Sequence, residues 1–193
     1  MEYKAHASAI VDPGCTIGAD TRIWHFCHIT TGAVIGERCS LGQNVYVGAK
    51  VTIGTNVKIQ NNVSVYDGVV IEDDVFCGPS MVFTNVTNPR SHVSRKHEFK
   101  TTRIKQGASL GANSTVVCGH DVGRFAFIAA GSVVTKNIPD YALVMGVPGK
   151  ITGWMCNCGV QLPYAAKPEG EATCKDCRKK YRATKTGTIE EVA

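Results

Sequence analysis

The stretch "LGQNVYVGAKVTIGTNVKIQNNVSVYDGVVI", residues 41–71, counts in sixes. Leu41, Val47, Ile53, Ile59, Val65 and Ile71 keep the count, and four places beyond each stands Val45, Val51, Val57, Val63, Val69 or Val75. Followed backwards, the count passes through Ile35, Ile29, Ile23 and Ile17 to Val11; followed forwards, it passes through Cys77 to Phe83. A second series, Ile104, Leu110, Val116, Val122, Ile128 and Val134, resumes after a gap. Glycine often follows the anchor directly, as at Gly36, Gly42, Gly48 and Gly54, where tight turning or close approach favours it. A helix needs a period of 3.6 and collagen a glycine at every third place, and neither is present.

A period of six predicts a parallel β-helix. Each hexad supplies a short strand and a turn, the anchor points inward, and three hexads close a triangular coil of about 18 residues. Coils stack through strand hydrogen bonds about 4.8 Å apart, so the roughly six coils encoded here make a prism about 30 Å long. Each coil buries the face that its neighbour cannot bury alone.

The chain has 193 residues, 44% hydrophobic and 19% charged, enough for one substantial core with a small appendage. No apolar run approaches the roughly 18 to 20 residues that cross a bilayer, and no basic-then-apolar leader is seen, so the chain reads as soluble and cytoplasmic, without membrane insertion. A formal net charge of +5 suits anionic ligands such as nucleotides or coenzyme A without singling them out. Of nine cysteines, Cys15, Cys27, Cys39, Cys77 and Cys118 are scattered through the repeat, and Cys15, Cys27 and Cys39 read as small core residues. "GVPGK" at 146–150 lacks the spacing and the hydroxyl residue of a phosphate loop.

Residues 84–103 lose the rhythm, and loops of that length inside a compact repeat are usually functional or disordered. The loop carries Asn85, Arg90, His92, Arg95, Lys96, His97, Glu98 and Arg103, polar and mostly basic. Stacking by one coil puts Asn85 over Asp67, Thr84 over Tyr66 and Asn61 over Gln43, and by two coils Asn61 over His25 and Gln60 over Trp24. Side chains two places past an anchor are expected to point outward, which collects His25, Gln43, Asn61, Tyr66, Asp67 and Asn85 in neighbouring columns. A polar, partly aromatic corner beside a basic loop suits an anionic sugar.

The hexads resemble those of the left-handed β-helix hexapeptide-repeat acyltransferases. The handedness comes from that resemblance, and the implied class is all-β, with a loop insertion and a short cysteine-bearing C-terminal tail. The boundaries expected are a β-helix over 1–151, interrupted at 84–103, and a tail over 152–193. The coils from Ile104 to Lys150 look like the acyl-CoA end of that family. The resemblance implies a homotrimer with three sites between neighbouring chains, acetyl-CoA as cosubstrate, pantetheine bound by turn amides at Gly111, Ala112, Ala129 and Ala130, and Lys136 on the coenzyme's phosphates.

"RIWHFCHI" at 22–29, "FTNVTNPRS" at 83–91 and the tail together look like the UDP-2-acetamido-3-amino-2,3-dideoxyglucuronate N-acetyltransferases of bacterial O-antigen and surface-polysaccharide assembly. That resemblance puts Asn85 by the sugar amine and Trp24 and His25 near the nucleotide-sugar. Asn61, Tyr66, Asp67, Thr84 and Glu98 complete the expected substrate-binding set, and Arg90 and Arg95 are candidates for the pyrophosphate and the uronate carboxylate.

An unprotonated amine is already a strong nucleophile, so N-acetyl transfer asks less of a general base than O-acetyl transfer. No histidine falls in the column beneath Asn85. Asn85 is therefore expected to orient the amine, with approximation supplying most of the rate; the competing assignment makes His92, His97 or Glu98 the base. Other readings stay open: an acetyltransferase for another amino or hydroxyl sugar, or a non-catalytic trimeric scaffold. A three-histidine catalytic metal has only His120 in the late coils to draw on.

In the tail, "CNCG" and "CKDC" place Cys156, Cys158, Cys174 and Cys177 in two close pairs. Two readings are available, a tetrahedral structural zinc and a reduced hairpin packed on the prism. The first pair has one intervening residue where zinc ribbons usually have two or more. Either arrangement would cover the open strand edge at the end of a β-helix. The run "CRKKYRATK" lacks aromatic interleaving and makes only a weak case for nucleic acid.

Overall fold

The computed structural model describes residues 2–192, and among these the chain is built from strands and turns alone. It is a left-handed parallel β-helix with a short antiparallel tail. Three sheets form the faces of the prism. The first face holds nine strands, from Lys4–Ala5 through Arg22–Ile23, Ser40–Leu41, Lys58–Ile59, Phe76–Cys77, Ser109–Leu110 and Phe127–Ile128 to Ala142–Met145 and Lys150–Trp154. The second holds seven, from Ile10–Val11 to Val133–Val134, and the third five, from Thr16–Ile17 to Thr102–Ile104.

Partners within a face lie 18 residues apart, as in Lys58 with Phe76 and Ser64 with Val82. Across the interruption they lie 33 apart on all three faces, Phe76 with Ser109, Val82 with Thr115 and Val69 with Thr102. The insertion therefore adds 15 residues at the corner between the second and third faces and leaves the register intact on both sides.

Each hexad turns at one residue. The third residue past the anchor is left-handed, as at Asn44, Asn56, Asn62 and Asp74 with φ of 59, 58, 62 and 61°. Asn and Asp tolerate that region best among residues with a Cβ. Stacked one above another they also hydrogen-bond, Asn44 Nδ2 donating to Asn62 Oδ1 at 3.1 Å and Asn56 Nδ2 to Asp74 Oδ1 at 2.8 Å. The glycine just after the anchor does a different job, close approach. A Cβ on Gly36 would stand 2.6 Å from the carbonyl oxygen of Gly54 in the next coil.

The anchors and the residues four beyond them fill the interior and are almost fully buried from Ile23 to Val134. The cysteines among them also satisfy carbonyls: the Cys27 thiol donates to Gly42 O at 3.0 Å and that of Cys39 to Gly54 O at 3.1 Å, as the Thr21 hydroxyl does to Gly36 O at 2.8 Å. Burial pushes their thiols upward, and that of Cys77 to about 12.

The last prism strand, Lys150–Trp154, doubles back antiparallel on Ala142–Met145 and so runs past the boundary expected at residue 151. Beyond it, Glu171–Thr173, Lys180–Ala183 and Ile189–Val192 form a three-stranded antiparallel sheet. An aromatic run ties this sheet to the final coils, with Phe125 and Tyr141 stacked at 5.6 Å and Tyr141 edge-on to Tyr181 at 5.4 Å. No helix among the described residues is long and apolar enough to cross a membrane.

Candidate active site

The corner between the second and third faces carries the interruption. Pairing of Phe83 with Val116 and of Val116 with Val134 places Asn85, Cys118 and Lys136 above one another along this edge, with Asp67 one coil below Asn85. Thr84 N donates to Val116 O at 3.2 Å, and the Thr84 hydroxyl accepts from Cys118 N at 2.9 Å. The acceptor side of that hydroxyl, expected to serve a substrate, is thus engaged in holding the two coils together.

Asn85 closes the base of the loop: its carbonyl accepts from Lys100 N at 3.0 Å. The returning chain passes Gly68, which has φ of 92° and whose Cβ position lies 2.8 Å from Lys100 O, so only glycine lets Lys100 sit there. Gly48 likewise makes room, since a Cβ on it would overlap Asp67 Oδ1. Asn85 and Asp67 are both half-buried and keep their side chains on the edge.

Above this base the loop folds on itself around a hollow of about 540 Å³ lined by Asn85, Arg90, His92, Arg95 and Phe99. Arg95 Nη1 donates to both carboxylate oxygens of Glu98, at 2.8 and 3.1 Å. The two charges offset one another across the loop, and His97 Nε2 lies 3.5 Å from the same Glu98 carboxylate. Arg90 is exposed and makes no ion pair among the described residues, so its charge remains available.

Trp24, His25 and Asn61 lie elsewhere. They line a hollow of about 250 Å³ with Gln43 and Gln60 at the corner between the first and second faces. The neighbouring columns expected to form one patch are therefore two corners of one prism, because a full strand of the second face separates position 61 from position 67. Between them, on the outer side of that face, His28, Tyr46 and Tyr66 form an aromatic row with centroids 5.9 and 6.0 Å apart, and His28 Nε2 lies 3.3 Å from Asp12. Tyr46 and the Asp12 contact were not among the expected site residues. Their signal was the residue just before each anchor, which faces outward and pairs directly, His28 with Tyr46. Phe26, left-handed at φ of 57° and 63% exposed, was also missed; a bulky side chain in that conformation and in solvent carries a cost that packing does not offset.

The expected coenzyme residues divide too. Gly111 N donates to Ile128 O at 2.7 Å and Ala129 N to Val144 O at 2.9 Å, so these amides are engaged within the stack and cannot serve a ligand. Ala112 and Ala130 are different: their amides find no acceptor among the described residues. The reason lies in the next coil. Asn61 Oδ1 receives the amide of Gln43 at 2.9 Å from one coil above, and the equivalent residue above Ala112 is Ala130, which has no oxygen to offer. Lys136 is exposed and stands on the edge of Asn85, one face away from Ala112.

The tail cysteines expected to act together do meet, the sulphurs of Cys156, Cys158, Cys174 and Cys177 lying within 4.8 Å of one another.

Comparison with known proteins agrees with this architecture. Residues 14–49 match the bacterial transferase hexapeptide family (six repeats), and residues 32–67 and 102–136 match the hexapeptide repeat of succinyl-transferase. The chain is 47% identical over 177 residues, 92% of its own length and 89% of the relative's, to the dTDP-3-amino-3,6-dideoxy-α-D-galactopyranose 3-N-acetyltransferase of Aneurinibacillus thermoaerophilus. The fold is similar to a hexapeptide transferase family protein from Anaplasma phagocytophilum, with a TM-score of 0.56, 19% identity and 80% of each chain covered. It is also similar to a GDP-perosamine N-acetyltransferase from Caulobacter crescentus in complex with CoA and GDP-perosamine, with a TM-score of 0.50, 22% identity, and 78% of this chain and 56% of that one covered. With hexads that keep their register on both sides of the insertion and 47% identity to an acetyltransferase over 92% of its length, the chain belongs to the hexapeptide-repeat acetyltransferases.

Proposed function

We propose that this enzyme transfers the acetyl group of acetyl-CoA to the 3-amino group of a nucleotide-linked amino sugar, with the dTDP-linked 3-amino-3,6-dideoxyhexoses as the substrate class. The observation that carries this reading is the 47% identity to a 3-N-acetyltransferase across 92% of the chain. A second reading, the UDP-linked 2-acetamido-3-amino-2,3-dideoxyglucuronate, is favoured by Arg90, whose unpaired guanidinium on the lip of the loop suits a uronate carboxylate. Both readings share the 3-amino acceptor, and both belong to the making of bacterial surface polysaccharide from cytoplasmic precursors.

In this reaction the unprotonated amine attacks the thioester carbonyl, negative charge gathers on its oxygen, the C–S bond breaks, and the amine's proton passes to the departing thiolate. The side-chain oxygen of Asn85 accepts from the amine and aims its lone pair, and no histidine is required beneath it. The unpartnered amides of Ala112 and Ala130 are donors suited to the pantetheine arm, and Lys136 to the coenzyme's phosphates. Trp24 and His25 offer stacking surfaces for a base, but they lie on another corner from Asn85. A homotrimer with sites between chains resolves this, since the corner of one chain then faces the loop-bearing edge of the next.

Thiol release from acetyl-CoA, followed with dTDP-linked 3-amino-3,6-dideoxyhexose, the UDP-linked 3-amino uronate and their 3-hydroxy counterparts and confirmed by product mass, tests the assignment. Turnover with the 6-deoxy amine alone supports the first reading and turnover with the uronate alone the second. Preference for a hydroxyl acceptor would reject both.

A further inference from the structure

Cys156 and Cys158 lie in the turn that follows the last prism strand, and Cys174 and Cys177 in the turn between the tail strands Glu171–Thr173 and Lys180–Ala183. The two turns face each other. Cys156 Sγ lies 3.3 Å from Cys177 Sγ and Cys158 Sγ 3.6 Å from Cys174 Sγ, and all four sulphurs fall within 4.8 Å of one another. Four sulphurs placed tetrahedrally around a zinc ion at about 2.3 Å are about 3.8 Å apart. A disulfide needs about 2.05 Å, and the four thiols are free. The spacing is that of ligands around an ion.

The one-residue spacing of the first pair is accommodated by Gly159, left-handed at φ of 89°, whose amide donates to Cys156 O at 2.9 Å while Cys156 N donates to Val160 O at 2.8 Å. Tyr181 Oη is 3.2 Å from Cys156 Sγ and accepts the amide of Asn157 at 3.0 Å, which fixes the inner ligand from the side of the tail sheet. Cys156 and Cys174 are buried at 1% exposure each, while Cys158 and Cys177 are exposed and leave the ion a way in. Lys175 and Arg178 flank the second pair in sequence, whereas Lys179 is paired with Glu191 at 2.7 Å.

We propose that these four cysteines bind one zinc ion as a closed tetrathiolate site that fastens the tail to the end of the prism. Four protein ligands leave no open position for chemistry, so the role is structural. The tail needs such a fastening. It is about 40 residues long, below the size at which a core of its own holds it together. The ion joins a turn just after Trp154, which is fully buried at the prism end, to the turn beside Tyr181, which is fully buried in the tail.

The full-length protein, purified under reducing conditions without chelator, is expected to carry about one zinc per chain by elemental analysis. Titration with an organomercurial is expected to release that zinc as four thiols react. Replacement by cobalt is expected to give the visible absorption of tetrahedral thiolate coordination, and Cys174→Ser and Cys158→Ser, tested separately so that one can fail to fold without ending the test, are expected to hold less than a tenth as much metal. After metal removal, proteolysis within residues 165–170 is expected to accelerate at least tenfold while the prism stays resistant. Zinc well below one per chain with all four thiols titratable, or iron in its place, would overturn the site; unchanged proteolysis would overturn its fastening role. None of these measurements depends on acetyl transfer.

Discussion

Lys136 stands two coils above Asn85 on one edge of the prism, with Cys118 between them. At strand spacing their backbones are about 10 Å apart. Cys118 is small and buried, and the side chain of Lys100 lies over the residue that follows it, its Cδ 3.0 Å from the Cβ position of Gly119. A ligand along this edge meets the uncharged Asn85 side chain at one end and the Lys136 cation at the other; the Ala112 and Ala130 amides stand one face away, so a coenzyme that uses both them and Lys136 bridges two chains of the proposed trimer.

Removing the amide tests the first end. Asn85→Ala is expected to lower kcat about 10- to 100-fold with little change in KM for acetyl-CoA, because the hydrogen bond lost is to a nitrogen gaining positive charge, an interaction of about 1.5–3 kcal/mol. His92→Ala and His97→Ala are expected to stay within about 3-fold of the parent, both side chains being exposed. Steady-state kinetics separates the cases: an unaffected Asn85→Ala enzyme, or a large loss at either histidine, would move the proton chemistry into the loop.

Removing the charge tests the second end. Lys136→Ala is expected to raise KM for acetyl-CoA about 5- to 10-fold with kcat held, the loss expected for one charge-assisted contact to phosphate. The parent's KM should rise with ionic strength more steeply than the variant's. Equal KM values in parent and variant would place the coenzyme's phosphates elsewhere.

The hexad count made the fold legible because a β-helix reads its sequence one coil at a time, so Val65 and Phe83 announce their stacking by spacing alone. The left-handed turn residue was legible in retrospect at Asn44, Asn56, Asn62 and Asp74, all good residues for that region, and hidden at Phe26 and Phe125, which are not. Spacing also placed Asn85 over Asp67. What it could not supply was competition for each group. The hydroxyl of Thr84 is engaged by Cys118, the charge of Arg95 by Glu98, and the amides of Gly111 and Ala129 by the coil above, and each of these depends on geometry inside a turn. Nor does a period of six say how wide a face is, which is why Asn61 and Asp67 looked like neighbours.

The two glycine positions predict different costs. Gly36→Ala drives a methyl group into the Gly54 carbonyl of the next coil and is expected to destabilise by about 1–3 kcal/mol, as overpacking does. Gly131→Asn is expected to stay within about 0.5 kcal/mol, since Gly131 has φ of 70°, a conformation Asn tolerates, and nothing lies within 4 Å of its Cβ position. Urea midpoints give the order directly, and the reverse order would show that the glycine after the anchor serves turning.

Buried thiols give a pH dependence with a definite sign. Cys77 is fully buried, and loss of water raises its thiol from an ordinary 9.0 to about 12. The folded state therefore keeps a proton that the unfolded state releases, so stability holds below pH 9, falls as pH rises from there, and stops falling near pH 12. At pH 10.5 the difference amounts to about 2 kcal/mol for this group. Lysines and tyrosines titrate in the same range, so the comparison is with Cys77→Val, which keeps the bulk and removes the proton. The urea midpoint of the parent is expected to fall further between pH 8 and 10.5 than that of the variant, and equal falls would mean that water reaches the thiol inside the prism.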